Sequence, residues 1–198
     1  MSRTTRKRMS RADRETQMLD VAEEVFAERN FAVATMDEIA ERCGVSKPLL
    51  YDYFGSKEGL LTAAVNRART ELYEVTTAAM ALGTEPRDIL ERGLVAYYTF
   101  ATAHSRSFAV LIQEPMAATF DAVESVRRQQ HGLIAPVIAA WAPHVEDERI
   151  TAYTELIIGA CERISLWAMH DGISPERAAA YTLDFCWDGL RVLVDPSP

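Results

Sequence analysis

The sequence predicts an all-α protein, with a small N-terminal three-helix unit followed by a larger helical body. Three observations carry that prediction. Apolar residues recur at spacings of three and four along most of the chain, and no alternating run rich in valine and threonine interrupts them. Gly44, Gly55, Gly83 and most prolines fall between the periodic stretches rather than inside them. At 198 residues, with 48% hydrophobic and 25% charged side chains, the chain can bury one large core or two small ones, as ordinary globular proteins do.

From about Asp13 to Arg29, Met18, Val21, Ala22, Val25 and Phe26 form one apolar stripe, the first helix. Thr35 opens the second: Thr35 and Glu38 fit a capping box, and Met36, Ile39, Ala40 and Cys43 share one face until Gly44 ends it. Only Gly44 and Val45 separate that helix from Ser46, a good N-cap, so the third helix starts at once and crosses the second steeply. This is helix-turn-helix geometry. Pro48 is tolerated in the first turn, where its missing N–H has no intrahelical partner to lose. The helix closes near Phe54, Gly55 breaks the chain, Ser56 caps again, and a long helix runs from Lys57 to about Met80. Gly83 to Pro86 then marks a boundary. Further helices are expected at about 86–103, 106–113, 116–140, 147–170 and 175–193, with Pro115, Pro143 and the turn at 171–175 between them. Pro136 falls inside one and predicts a kink. Three parts result: a flexible basic arm over 1–12, the helix-turn-helix unit over 13–56, and the body over 57–198.

The formal net charge of −8 conceals an asymmetry. Residues 1–14 hold Arg3, Arg6, Lys7, Arg8, Arg11 and Arg14 against Asp13, so a basic arm precedes an acidic body. No apolar run approaches the ~20 residues that cross a bilayer, and no apolar leader segment follows the basic start, so a cytoplasmic protein with no membrane contact is expected. Cys43, Cys161 and Cys186 are far apart, and His104, His131, His144 and His170 are scattered. Neither a disulfide framework nor a metal site is indicated, and no cofactor is expected.

With Leu50 as the inward point of the third helix, about 100° per residue turns Pro48 and Asp52 outward, with Leu49 and Tyr51 flanking that face. Lys47 reaches around from the helix start, where the dipole favours phosphate. Such a face suits a major groove. Thr35-Met36-Asp37-Glu38-Ile39-Ala40, Cys43-Gly44-Val45-Ser46-Lys47 and Leu50-Tyr51-Asp52-Tyr53-Phe54-Gly55-Ser56-Lys57-Glu58 together resemble the signature of the TetR family. The resemblance covers about residues 14–61. It implies a DNA-binding transcriptional regulator, by family habit a repressor, in which Thr35, Ser46, Tyr51, Tyr53 and Lys57 hold phosphates while Lys47, Pro48 and Leu49 face base edges. The chain departs from the family pattern at Leu49, where a small or hydroxyl residue is common; an apolar side chain there fits a thymine methyl. Arg6, Lys7 and Arg8 track phosphates or enter a minor groove in one reading, and form a solvated tail in the other.

In the body, the helices at 147–170 and 175–193 are apolar on more than one face, which one neighbour cannot cover. The family resemblance implies that the last two helices of each subunit form a four-helix dimer interface, here through Ile157, Ile164, Trp167, Phe185 and Gly189. A homodimer would set two reading heads on a pseudo-palindromic operator in double-stranded DNA. Tyr97, Phe100, His104, Phe108, Met116, Phe120 and Trp141 concentrate aromatic surface in the middle of the body and are the candidate contacts of a small apolar or aromatic effector whose binding ends repression. No metalloprotease, nucleophile-elbow, phosphate-loop or dinucleotide signature is present, so an enzyme is not expected. A helical adaptor that binds only protein is the other rival. It gives no reason for the Thr35–Lys57 arrangement.

Overall fold

A computed structural model describes residues 9–105, 108 and 120–191, and among these it contains eight helices and no strand. Helix α1 (Arg11–Val33) opens with a capping box: the Ser10 hydroxyl accepts from the Asp13 amide at 3.0 Å, and the Asp13 carboxylate accepts from the Ser10 amide at 3.3 Å. It breaks at Asn30, whose φ of 58° lies in the left-handed region that asparagine tolerates, so its regular part ends where the periodicity predicts. The last residues turn back under the Asn30 side chain, which accepts from the Val33 amide at 3.3 Å.

Helices α2 (Met36–Cys43), α3 (Lys47–Phe54) and α4 (Lys57–Met80) follow with the expected caps. The Thr35, Ser46 and Ser56 hydroxyls accept from the amides of Glu38, Leu49 and Gly59 at 3.2, 3.4 and 3.0 Å. The capping box expected at Thr35 is only half built. The Glu38 carboxylate instead pairs with Arg42 at 2.8 Å and Arg29 at 3.5 Å, because two guanidinium groups attract it more strongly than one backbone amide. Gly44 adopts φ 67° to end α2, which is what allows α3 to start after so short a turn.

The body comprises α5 (Pro86–Ala103), α6 (Phe120–Trp141), α7 (Asp147–Asp171) and α8 (Pro175–Arg191). The helix expected at 106–113 falls almost wholly outside the described residues. Pro136 is exposed within α6, which runs through it as one helix to Trp141. Helix α4 packs against α1 on one side and against α5 and α6 on the other, while α8 lies against α5 and α7. One apolar core therefore runs from Met18 in α1, through Leu60, Leu61, Val65 and Leu72 of α4, to Leu190 in α8. Burying each such leucine or valine contributes roughly 1.5–3 kcal/mol, which makes α4 the element that both halves share.

Candidate nucleic-acid interface and effector cavity

Leu50 is fully buried beneath α3, and this orients the rest of the helix. Lys47, Pro48, Tyr51 and Asp52 are exposed on the opposite side, whereas Tyr53 and Phe54 are half-buried against the core. Leu49, expected at a base edge, is also half-buried and packs on the core, since its position flanks the outward face rather than crowning it. Two contacts draw the helix starts together. Lys47 Nζ donates to the Asp37 carboxylate at 2.8 Å, joining the first turns of α2 and α3. Lys57 Nζ donates to the carbonyls of Phe31 and Ala34, each at 2.9 Å, and lies 4.4 Å from the centre of the Phe31 ring. Thr35, Ser46, Lys47 and Lys57 thus gather at one end of the helix-turn-helix unit, with Tyr51 exposed one turn along α3. The Thr35 and Ser46 hydroxyls accept their capping bonds through oxygen, which leaves each O–H free to donate to a phosphate. Lys57 keeps one of its three donors. The hydrogen bond to Asp37 holds the Lys47 ammonium above its ordinary pKa, so it stays cationic. At the start of α1, the Arg11 guanidinium stands 5.1 Å from the Tyr53 ring centre. Arg6, Lys7 and Arg8 lie outside the described residues.

In the body, α4, α5, α6, α7 and α8 surround a cavity of about 770 Å³, counted out to its open mouth. Leu72, Met80, Leu94, Leu133, Ile134, Ile158 and Leu190 are among the apolar residues of its wall. Helix α5 approaches α4 closely at Gly93, where a Cβ would stand 2.9 Å from the Met80 side chain. Polar side chains interrupt the wall, among them Arg69, Gln129 and Gln130. Each of these three has a buried polar atom with no partner, namely Arg69 Nε, Gln129 Oε1 and Gln130 Oε1.

Of the residues expected to contact an effector, Tyr97 lines this cavity. The others whose side chains are described do not. Phe108 is buried edge-on behind Tyr97 at 5.6 Å, Phe100 is buried against the ring of exposed His104 at 4.6 Å, and Trp141 stacks on Trp187 at 4.5 Å. Met116 and the side chain of Phe120 lie outside the described residues. Most of the expected aromatic contacts whose side chains are described thus pack around the cavity, and Tyr97 reaches its wall. The polar wall residues were missed because each reads singly as an ordinary helix-surface position.

The expected dimer contacts also divide. Ile157 is 4% exposed and lines the cavity, so it faces inward rather than toward a partner. Ile164 and Gly189 are half-buried, the latter close to Tyr153. Trp167 and Phe185 point outward, 37% and 83% exposed, and are joined on the outer faces of α7 and α8 by Leu156 and Tyr181. The Trp167 and Tyr181 rings lie 6.3 Å apart, bridging the two helices.

A helix-turn-helix reading head joined by a shared helix to an apolar chamber defines a DNA-binding regulator that responds to a small molecule. Residues 18–64 match the family model described as bacterial regulatory proteins of the TetR family, and residues 86–189 match a tetracycline repressor-like C-terminal domain. The chain belongs to the TetR family of ligand-responsive, DNA-binding transcriptional regulators. It is 30% identical to the HTH-type transcriptional activator FasR of Mycolicibacterium smegmatis, over 92% of this chain and 85% of that protein. A TetR-like transcriptional regulator from Rhodococcus superposes with a TM-score of 0.81 at 32% identity, covering 93% of this chain and 99% of the other. The regulator FadR of Bacillus subtilis, solved in complex with stearoyl-CoA, shares the fold with a TM-score of 0.72 at 16% identity, over 92% and 99% of the two chains. These relatives are transcriptional regulators. Among the described residues, no helix is long and apolar enough to cross a membrane, and no group of acidic, histidine and cysteine side chains could hold a metal ion.

Proposed function

We propose that the protein is a cytoplasmic, homodimeric repressor that binds a pseudo-palindromic operator and leaves it when a small, largely apolar molecule enters the cavity. The observation that carries this reading is the convergence of Thr35, Ser46, Lys47 and Lys57 at one end of the helix-turn-helix unit, beside the exposed Tyr51. Lys47 and Pro48 face base edges, while the hydroxyls, Tyr51, Tyr53 and Lys57 engage phosphates on either side of the groove. Arg6, Lys7 and Arg8 extend the contact along the backbone. Residues 57–198 form the sensing and pairing part.

Repression is favoured over activation because blocking a promoter requires only DNA binding, whereas activation requires a further surface for the polymerase. The relative FasR is named an activator, so a run-off transcription assay on the bound promoter decides the sign. A second chain seated on Leu156, Trp167, Tyr181 and Phe185 would cover the outward apolar face and set two heads on one duplex. An effector acts only to the extent that it binds one head spacing better than the other. No turnover of the bound molecule belongs to this function.

Selection of bound sequences from random duplexes tests the reading. A palindromic product whose retention weakens with Tyr51→Ala and Lys47→Ala is the expected result. Retention that is indifferent to both variants overturns it.

A further inference from the structure

The cavity wall is largely apolar, and Arg69 is its one charged side chain among the described residues. Arg69 of α4 bonds Ser125 of α6 through one terminal nitrogen, while its Nε is buried without a partner. Among the described residues no carboxylate pairs with it, in contrast to Arg67, which has Asp20 and Glu23, and Arg127, which has Glu124 and Glu162. Gln129 and Gln130, both at the cavity wall on α6, each bury an unpartnered side-chain oxygen. A half-buried guanidinium whose Nε is buried without a partner, with no carboxylate on it among the described residues and set beside two amides, is costly to maintain in an apolar wall unless something else completes it.

We infer that the effector is an amphipathic monoanion, an apolar chain or ring system ending in a carboxylate, and that Arg69 is the residue that receives the carboxylate. This rests on the reading of the cavity as the effector site and adds the chemistry of its polar end. A carboxylate accepts from the guanidinium and has lone pairs to spare for the Gln129 and Gln130 amides, which present NH₂ after a half-turn about the last side-chain bond. The apolar remainder lies along Leu72, Leu94 and Ile158. Neutral apolar molecules would fill the same space but leave the Arg69 charge uncompensated.

The test is calorimetric titration of the full-length protein at neutral pH with decanoate, decan-1-ol and methyl decanoate, probes of equal chain length that differ at the head. Decanoate is expected to bind about tenfold or more tightly than either neutral probe, the margin of one additional charge-assisted contact. In Arg69→Met that margin should disappear while the neutral probes keep their affinity; in Arg69→Lys part of it should survive. Equal affinity of all three probes for the unaltered protein overturns the carboxylate assignment and leaves the apolar cavity standing as the effector site. Binding of none of them overturns both. The comparison of heads needs no variant, so it holds even if Arg69→Met fails to fold. Survival of the full margin in a folded Arg69→Met would move the anion site away from Arg69.

Discussion

The Arg67 guanidinium closes on the Glu23 carboxylate at 2.6 Å and on Asp20 at 2.7 Å, tying α4 to α1. Two residues further along the same helix, Arg69 turns the other way, to α6 and the cavity. At about 100° per residue, two steps place these side chains on nearly opposite faces. Helix α4 therefore ties to α1 with one arginine and lines the cavity with the next. A shift of α4 imposed from the cavity would reach α1 through these charged contacts as well as through the apolar core that the two helices share.

Because Glu23 is buried, with its side chain 8% exposed, removing Arg67 takes its guanidinium partner from a carboxylate in the core. Arg67→Met should destabilise the protein by about 3 kcal/mol, measured by urea unfolding at neutral pH. The double variant Arg67→Met with Glu23→Gln should recover part of the loss, since the amide no longer carries the charge. If the single variant unfolds at the same urea concentration as the parent, the pair is not holding the two helices together.

Lys47 and Asp37 form an exposed pair in the middle of the proposed DNA face. The pair contributes little to folding, but Asp37 places a negative charge near incoming phosphates and occupies the lysine. Asp37→Asn should strengthen operator binding several-fold at low salt without moving the unfolding midpoint, whereas Lys47→Ala should weaken binding. Fluorescence anisotropy over a salt series measures both. A weaker Asp37→Asn complex would mean that the carboxylate positions Lys47 rather than competing for it.

The elements differ in how far the sequence revealed them. The starts of α2, α3 and α4 were legible to the residue because Thr35, Ser46 and Ser56 act through hydrogen bonds to amides three positions on, a purely local device. The fate of Glu38 was not legible. Whether it caps or pairs depends on Arg29, which α1 brings in from a distance in sequence. The reading face of α3 followed from its periodicity, and the gathering of Lys57 with it followed from family resemblance alone. The cavity was the least legible part. Tyr97, Phe100, Phe108 and Trp141 are all aromatic and mostly buried, and nothing local distinguishes the ring that borders empty space from those that pack behind it.

Lys57 has both a structural and a binding role, and the two separate experimentally. Its two bonds to the Phe31 and Ala34 carbonyls hold the chain between α1 and α2, so Lys57→Met should lower the melting temperature. Its remaining N–H is the one assigned to phosphate. Loss of that contact should reduce the slope of log affinity against log salt by about 0.9. A lowered melting temperature with an unchanged slope would leave Lys57 as a structural clamp only.

Burial raises the Cys161 thiol to about 12 and the Cys43 thiol to about 11, and it raises Cys186 as well. The thiolate is the reactive form, so at pH 8 a disulfide-exchange reagent should modify the native protein slowly and all three cysteines readily in urea. The folded state holds these protons more tightly than the unfolded chain, whose thiols ionise near 9. The thiols' contribution to stability is therefore fully present below that pH, and stability should decline as pH rises from about 9 toward 11. Cys161 and Cys186 both line the cavity, so saturating decanoate should slow their modification further and leave Cys43 unaffected. Equal slowing of all three would point to general stabilisation instead of local cover.

Phe185 is 83% exposed, with Leu156 at 67%, Tyr181 at 45% and Trp167 at 37% on the same outer face, and a water-facing phenylalanine of this kind is stabilising only when something covers it. Covering one phenylalanine contributes roughly 1.5–3 kcal/mol, and twofold symmetry counts it twice in a dimer. Phe185→Glu would instead bring two carboxylates into the interface. Because the side chain makes little contact within its own subunit, the variant should fold with unchanged helical content yet sediment as a monomer at micromolar concentration. Its operator affinity should fall by orders of magnitude, since each head then binds its half-site alone, while its affinity for decanoate, determined within one subunit, should be retained. A Phe185→Glu protein that remains dimeric would place the contact between copies elsewhere on the molecule, and one that loses decanoate binding along with dimerisation would mean that the partner chain helps to close the cavity.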